Sequence, residues 1–157
     1  MKKAIFGASL ITLAILSQSS EVMASEAYDL YFTNTSSSAI YVKAMSSTCM
    51  SQRGNDLYIV PSGSTSEKVV LIDSNNIDKD CVNASKEVHW AVAHSKEGAN
   101  VANLEFEHSK NDGWRTQMVF SGGASGSATC GGYKCSNMGT PGINLKQPSP
   151  IMVTINN

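Results

Sequence analysis

The stretch VHWAVAHSKEGANVANLEFEHSKNDGWRTQMVF, residues 88–120, decides the fold. Val88, Trp90 and Val92 alternate with His89, Ala91 and Ala93. Ala102, Leu104, Phe106 and His108 alternate with Val101, Asn103, Glu105 and Glu107. After Asn111, Asp112 and Gly113, the residues Trp114, Thr116, Met118 and Phe120 alternate with Arg115, Gln117 and Val119. A period of two marks half-buried strands, so the stretch predicts a three-stranded antiparallel meander with two short loops. Pairing Trp90 with Phe106 and Phe106 with Thr116 gathers the large apolar side chains on one face. A one-residue slip would scatter them over both. This register sets Val88 opposite His108, Leu104 opposite Met118, Ala102 opposite Phe120 and His108 opposite Trp114. It lines up His89, Glu107 and Arg115 on the other face. That row reads as a solvated ion-pair ladder, with exposed pairs worth about 0–1 kcal/mol each.

Upstream, Tyr28 to Thr33 and Ala39 to Met45 have the same alternation and read as a hairpin around residues 34–38. Setting Phe32 opposite Ile40 puts Tyr31 beside Tyr41 and Asp29 beside Lys43 on the outer face. The tyrosine pair has two readings. One is ordinary cross-strand packing, and the other is an aromatic platform for a lipid headgroup, a sugar or a partner. Leu57 to Val60, stopped by the Pro61-Ser62-Gly63 turn, and Glu67 to Ile72 add two strands. Residues 73–87 read as a loop with room for one helical turn. Ile151 to Ile155 forms a last strand. No part of the mature chain sustains a 3.6 period. About eight short strands therefore predict an all-β fold, a small antiparallel β-sandwich.

The N-terminus has another logic. Met1, Lys2 and Lys3 are a basic start, Ala4 to Leu16 is an apolar run too short to span a bilayer, and Val22-Met23-Ala24 has the small-residue pattern of a cleavage site. Residues 1–24 read as a secretory signal peptide of bacterial style, with residues 25–157 as a single exported domain. No cysteine stands near the cut to carry a lipid anchor, and no second hydrophobic segment follows. Residues 25–157 hold ten basic and twelve acidic residues, a formal charge of −2. That balance offers no electrostatic basis for binding nucleic acid or anionic membrane.

Four cysteines in an exported chain predict a disulfide framework. Gly131 and Gly132 allow a short loop to close between Cys130 and Cys135, which leaves Cys49 to pair with Cys81. The competing reading, a four-thiolate zinc site, requires close-spaced partners that Cys49 and Cys81 lack. Residues 121–150 contain seven glycines and three prolines and read as a long loop. The Cys130–Cys135 bridge would pin its middle and place Tyr133 and Lys134 at the tip.

Catalytic patterns are weak. Gly123-Ala124-Ser125-Gly126-Ser127 misses the nucleophile-elbow spacing, and no phosphate-loop lysine follows the glycines. His94 and His108 fall at opposite ends of a strand, and His89 points to the other face, so no single metal site uses all three. His108 reads as a rim histidine of the core. Glu105 and Glu107 share a solvated face with nothing to shift their ionisation. Asn34-Thr35-Ser36 and Asn83-Ala84-Ser85 match the glycosylation sequon, both in turns. The expectation is an exported, non-enzymatic binding protein without cofactor or metal. It would contact a lipid or glycan surface through Tyr31, Tyr41, Tyr133 and Lys134. A protein–protein module, such as an inhibitor or immunity protein, is the second reading, and a small secreted enzyme the third.

Overall fold

A computed structural model describes residues 25–110, 114–135 and 149–156; the signal-peptide reading of residues 1–24 lies outside them. Among the described residues, eleven strands follow in chain order: β1 Ala27–Asn34, β2 Ile40–Thr48, β3 Met50–Arg53, β4 Leu57–Val60, β5 Val69–Asp73, β6 Lys86–Ala93, β7 Asn100–Lys110, β8 Trp114–Gly122, β9 Ser125–Cys130, β10 Tyr133–Lys134 and β11 Ile151–Asn156. A single 3₁₀ turn, Ile77–Lys79, interrupts the connection between β5 and β6, in the stretch read as a loop with one helical turn. The strands form two sheets, ordered β10-β9-β11-β1-β5-β3 and β4-β2-β6-β7-β8. Their inner faces pack together as a β-sandwich. Tyr28 meets Phe106 across the interface at 5.1 Å between ring centroids, and Phe32 meets the edge of Trp90 at 5.5 Å. Both disulfides, Cys49–Cys81 and Cys130–Cys135, are present as the spacing predicts.

The meander is β6, β7 and β8, and every large apolar residue of residues 88–120 lies on the expected face. Its register differs from the expected one by two residues. Trp90 pairs with Leu104 and Val88 with Phe106, while Phe106 pairs with Met118 and His108 with Thr116. A two-residue shift leaves each side chain on its own face, so the apolar pattern cannot detect it. The loops decide the register. β7 and β8 stay paired as far as Lys110 and Trp114, and a bulge lies between Val92 and Ala93. On the outer face the row of His89, Glu107 and Arg115 does not form: His89 faces Glu105, Glu107 faces Glu87, and Arg115 faces Ser109.

The N-terminal hairpin is also corrected. β1 lies in the six-stranded sheet between β11, which runs parallel to it, and β5. β2 lies in the other sheet between β4 and β6. With both edges of β1 occupied, the chain must cross between sheets after Asn34. The Asn34 side chain holds that arch. Its amide donates to the carbonyls of Ser38 and Val60, and its oxygen accepts from the Ser36 backbone at 2.9 Å. Asn34 is completely buried, so the folded chain does not present the first sequon, whereas Asn83 is exposed.

The loop expected over 121–150 is largely strand up to residue 135; residues 136–148 lie outside the described residues. β9 reads SGSATC and shows no apolar alternation, because its pairing with β11 supplies the order that its side chains do not.

Candidate functional site

β8 runs from Trp114 to Gly122, and β9 returns to Cys130 at the end where β8 began. Trp114 and the β9–β10 hairpin therefore lie at one corner of the sandwich. Gly131 and Gly132 have φ of 57° and 85°. These are the values a two-residue hairpin turn of the I′ type needs, and glycine reaches them without strain. A side chain at Gly132 would meet nothing within 4 Å, so the glycine is there for its backbone and not for space. The hairpin is held on three sides. Tyr133 and Lys134 pair with Cys130 and Thr129, the Gly131 backbone donates to Pro150 at 3.0 Å, and Cys135 is bonded to Cys130. Tyr133 is 66% exposed on this fixed frame, with Lys134 exposed beside it. Trp114 is half-buried at the same corner.

The other two predicted tyrosines do not join this group or each other. Tyr31 lies opposite Met152 in the six-stranded sheet. Tyr41 lies between Ile59 and Ala93 in the five-stranded sheet. Both are half-buried, and the outer faces that carry them are on opposite sides of the sandwich. Asp29 pairs with Lys68 at 3.4 Å, while Lys43 donates to the Gly98 carbonyl, so that expected ion pair is also absent.

Behind Trp114 lies a buried polar cluster that the sequence pattern only grazed. His108 stacks on Trp114, 5.0 Å between centroids and 2° from parallel, and bonds the Thr116 hydroxyl at 2.7 Å. Lys86 is fully buried and donates to the carbonyls of Ser74 and Cys81. Asp73 accepts from the Glu26 backbone at 2.8 Å and, at the limit of bonding distance, from the Tyr28 hydroxyl. Burial, reinforced by the positive charge of Lys86, pushes the His108 pKa down to about 4. Burial likewise lowers that of Lys86, against the opposing pull of Asp73. Burial first, then Asp73 and Glu26, drives the Tyr28 hydroxyl well above its ordinary range. The shifts are large, yet His108, Lys86, Asp73 and Thr116 are each at most 3% exposed. These groups bond one another and the backbone and do not open to a substrate, so the cluster ties the end of the sandwich together.

Among the described residues, one set of side chains has the donors for a metal ion: Glu87, His89 and Glu105, on the outer face of the five-stranded sheet. No helix of the described residues is long and apolar enough to cross a membrane. No known family model matches the chain, and no curated protein compared with it is similar.

Proposed function

We propose that the chain is an exported, non-enzymatic binding protein that contacts a surface ligand, a glycan or a lipid headgroup, through the Tyr133 hairpin. The observation that carries this reading is the exposure of Tyr133 on a turn fixed by ladder, disulfide and Pro150. A tyrosine held this way offers a broad apolar face and a polar tip, and little freedom is left for binding to remove. Trp114 at the same corner adds a second aromatic surface, already ordered by its stack on His108. Two disulfides suit an oxidising compartment outside the cytosol. The closed polar cluster supports binding over catalysis, since its titratable groups are buried and bonded to Thr116, Tyr28 and backbone groups.

The test is binding of the mature, oxidised protein to a glycan panel and to neutral and anionic vesicles. Tyr133→Ala is expected to weaken the captured interaction at least tenfold and leave the melting temperature within a degree or two. Tyr31→Ala and Tyr41→Ala, on the two outer faces, are expected to leave affinity within twofold. Equal losses from all three variants, or none from Tyr133→Ala, would overturn the reading.

A further inference from the structure

In a strand, residues i and i+2 share a face, and an antiparallel neighbour adds a third side chain about 5 Å away. β6 and β7 use this geometry to bring three metal-ligating side chains together. Glu87 and His89 are two apart on β6, and Glu105 is the direct partner of His89 on β7. His89 Nε2 lies 3.6 Å from Glu87 Oε2, and His89 Nδ1 lies 3.8 Å from Glu105 Oε2. One donor atom from each of the three residues can be chosen so that all lie within 4.8 Å of one another. Tetrahedral zinc, with bonds near 2.0–2.1 Å, sets its donors about 3.3 Å apart, so small side-chain rotations would close the set. The side chains are 27–37% exposed, enough for an ion to enter and enough shelter to strengthen its attraction.

The charge balance around the set points the same way. Glu87 faces Glu107 directly across the ladder, a like-charge pairing that costs stability. Glu107 is held by Gln117 and Ser85. The Glu87 and Glu105 carboxylates both lie against the His89 ring. The two cations in the strands of that face do not neutralise them: Lys43 reaches the Gly98 carbonyl, and Arg115 lies beside Ser109. An ordinary surface ladder would set lysine or arginine opposite these glutamates. This one sets an imidazole between them, which supplies the nitrogen donor that a transition metal prefers to carboxylate alone.

We propose that Glu87, His89 and Glu105 form a site for a divalent metal of the zinc class, with solvent completing the coordination. The site is on the five-stranded sheet, away from the Tyr133 corner, and does not depend on the binding reading. The experiment is calorimetric titration of Zn2+ into the mature, disulfide-intact protein after EDTA treatment and dialysis. One ion per chain is expected, with a matching rise in melting temperature, because an ion that binds only the folded chain stabilises it. His89→Gln and Glu105→Gln are each expected to weaken binding at least tenfold and abolish the thermal shift. Glu107→Gln, which removes a neighbouring charge but no proposed ligand, and His94→Gln are expected to change affinity less than threefold. Absence of saturable binding below millimolar Zn2+, or equal losses in His89→Gln and His94→Gln, would overturn the proposal. Persistence of Tyr133-dependent binding in EDTA would show the two sites to be independent.

Discussion

Deep at one end of the sandwich, His108 is a base kept uncharged by its surroundings. Its pKa in the folded chain is about 4, against an ordinary value of 6.5. Between those values the unfolded chain takes up the proton and the folded chain does not. The contribution of His108 is therefore constant above about pH 6.5, is lost as pH falls toward 4, and does not change below it. The lost stability is on the order of 3 kcal/mol. Urea melts from pH 7.5 to 4 are expected to show this fall in the wild type and a flatter profile in His108→Gln; parallel profiles would show that His108 is not the group. Single side chains also report the faces of the meander. Leu104 is buried, and Leu104→Ala is expected to cost about 2–5 kcal/mol. Glu105→Ala, one position along and half-exposed, is expected to cost under about 0.5 kcal/mol in the same melts. Equal losses would contradict the assigned faces.

The strands that could be read from sequence are those whose own side chains alternate. β6, β7, β8, β1 and β2 carry that pattern, and it assigns the inner face of the meander. Pairing was less legible, because partners are chosen by loops and by the rest of the sheet. The two-residue shift between Trp90 and Leu104 is invisible to the pattern, and it hid the cluster of Glu87, His89 and Glu105, since the expected register set His89 in a row with Glu107 and Arg115. The parallel pairing of β1 with β11 joins the two ends of the described chain, and nothing local announces it. β9 was missed because its composition serves a neighbour. A side chain at Gly126 would place its Cβ 2.2 Å from Phe120 Cε1 and 2.8 Å from the Thr154 carbonyl. Gly126→Ala is therefore expected to cost about 1–3 kcal/mol through overpacking. Phe120→Leu in the same chain is expected to recover part of that loss in thermal melts, which would place the strain at this contact and not in the β9 backbone.

At the scale of the whole molecule, the two disulfides do different work. Cys49–Cys81 spans 32 residues and lies beside the buried cluster. Ser74 donates to the Cys49 carbonyl, and Lys86 donates to the Cys81 carbonyl. Cys130–Cys135 spans only five residues and fixes a single turn at the edge of the six-stranded sheet. Loop-closure entropy assigns about 3–4 kcal/mol to the long bridge and about 2 kcal/mol to the short one. Binding at Tyr133 depends on them in the opposite order, because only the short bridge sets the tyrosine in place. The Cys49→Ala/Cys81→Ala double variant is thus expected to lose the larger share of stability and, well below its melting temperature, to bind like the wild type. The Cys130→Ala/Cys135→Ala variant is expected to lose less stability and more affinity, since the freed turn must be ordered again on contact. Melting curves and titrations on the same two samples measure both quantities. If affinity followed stability in both variants, Tyr133 would have no special dependence on its turn, and the contact surface would have to lie elsewhere on the sandwich.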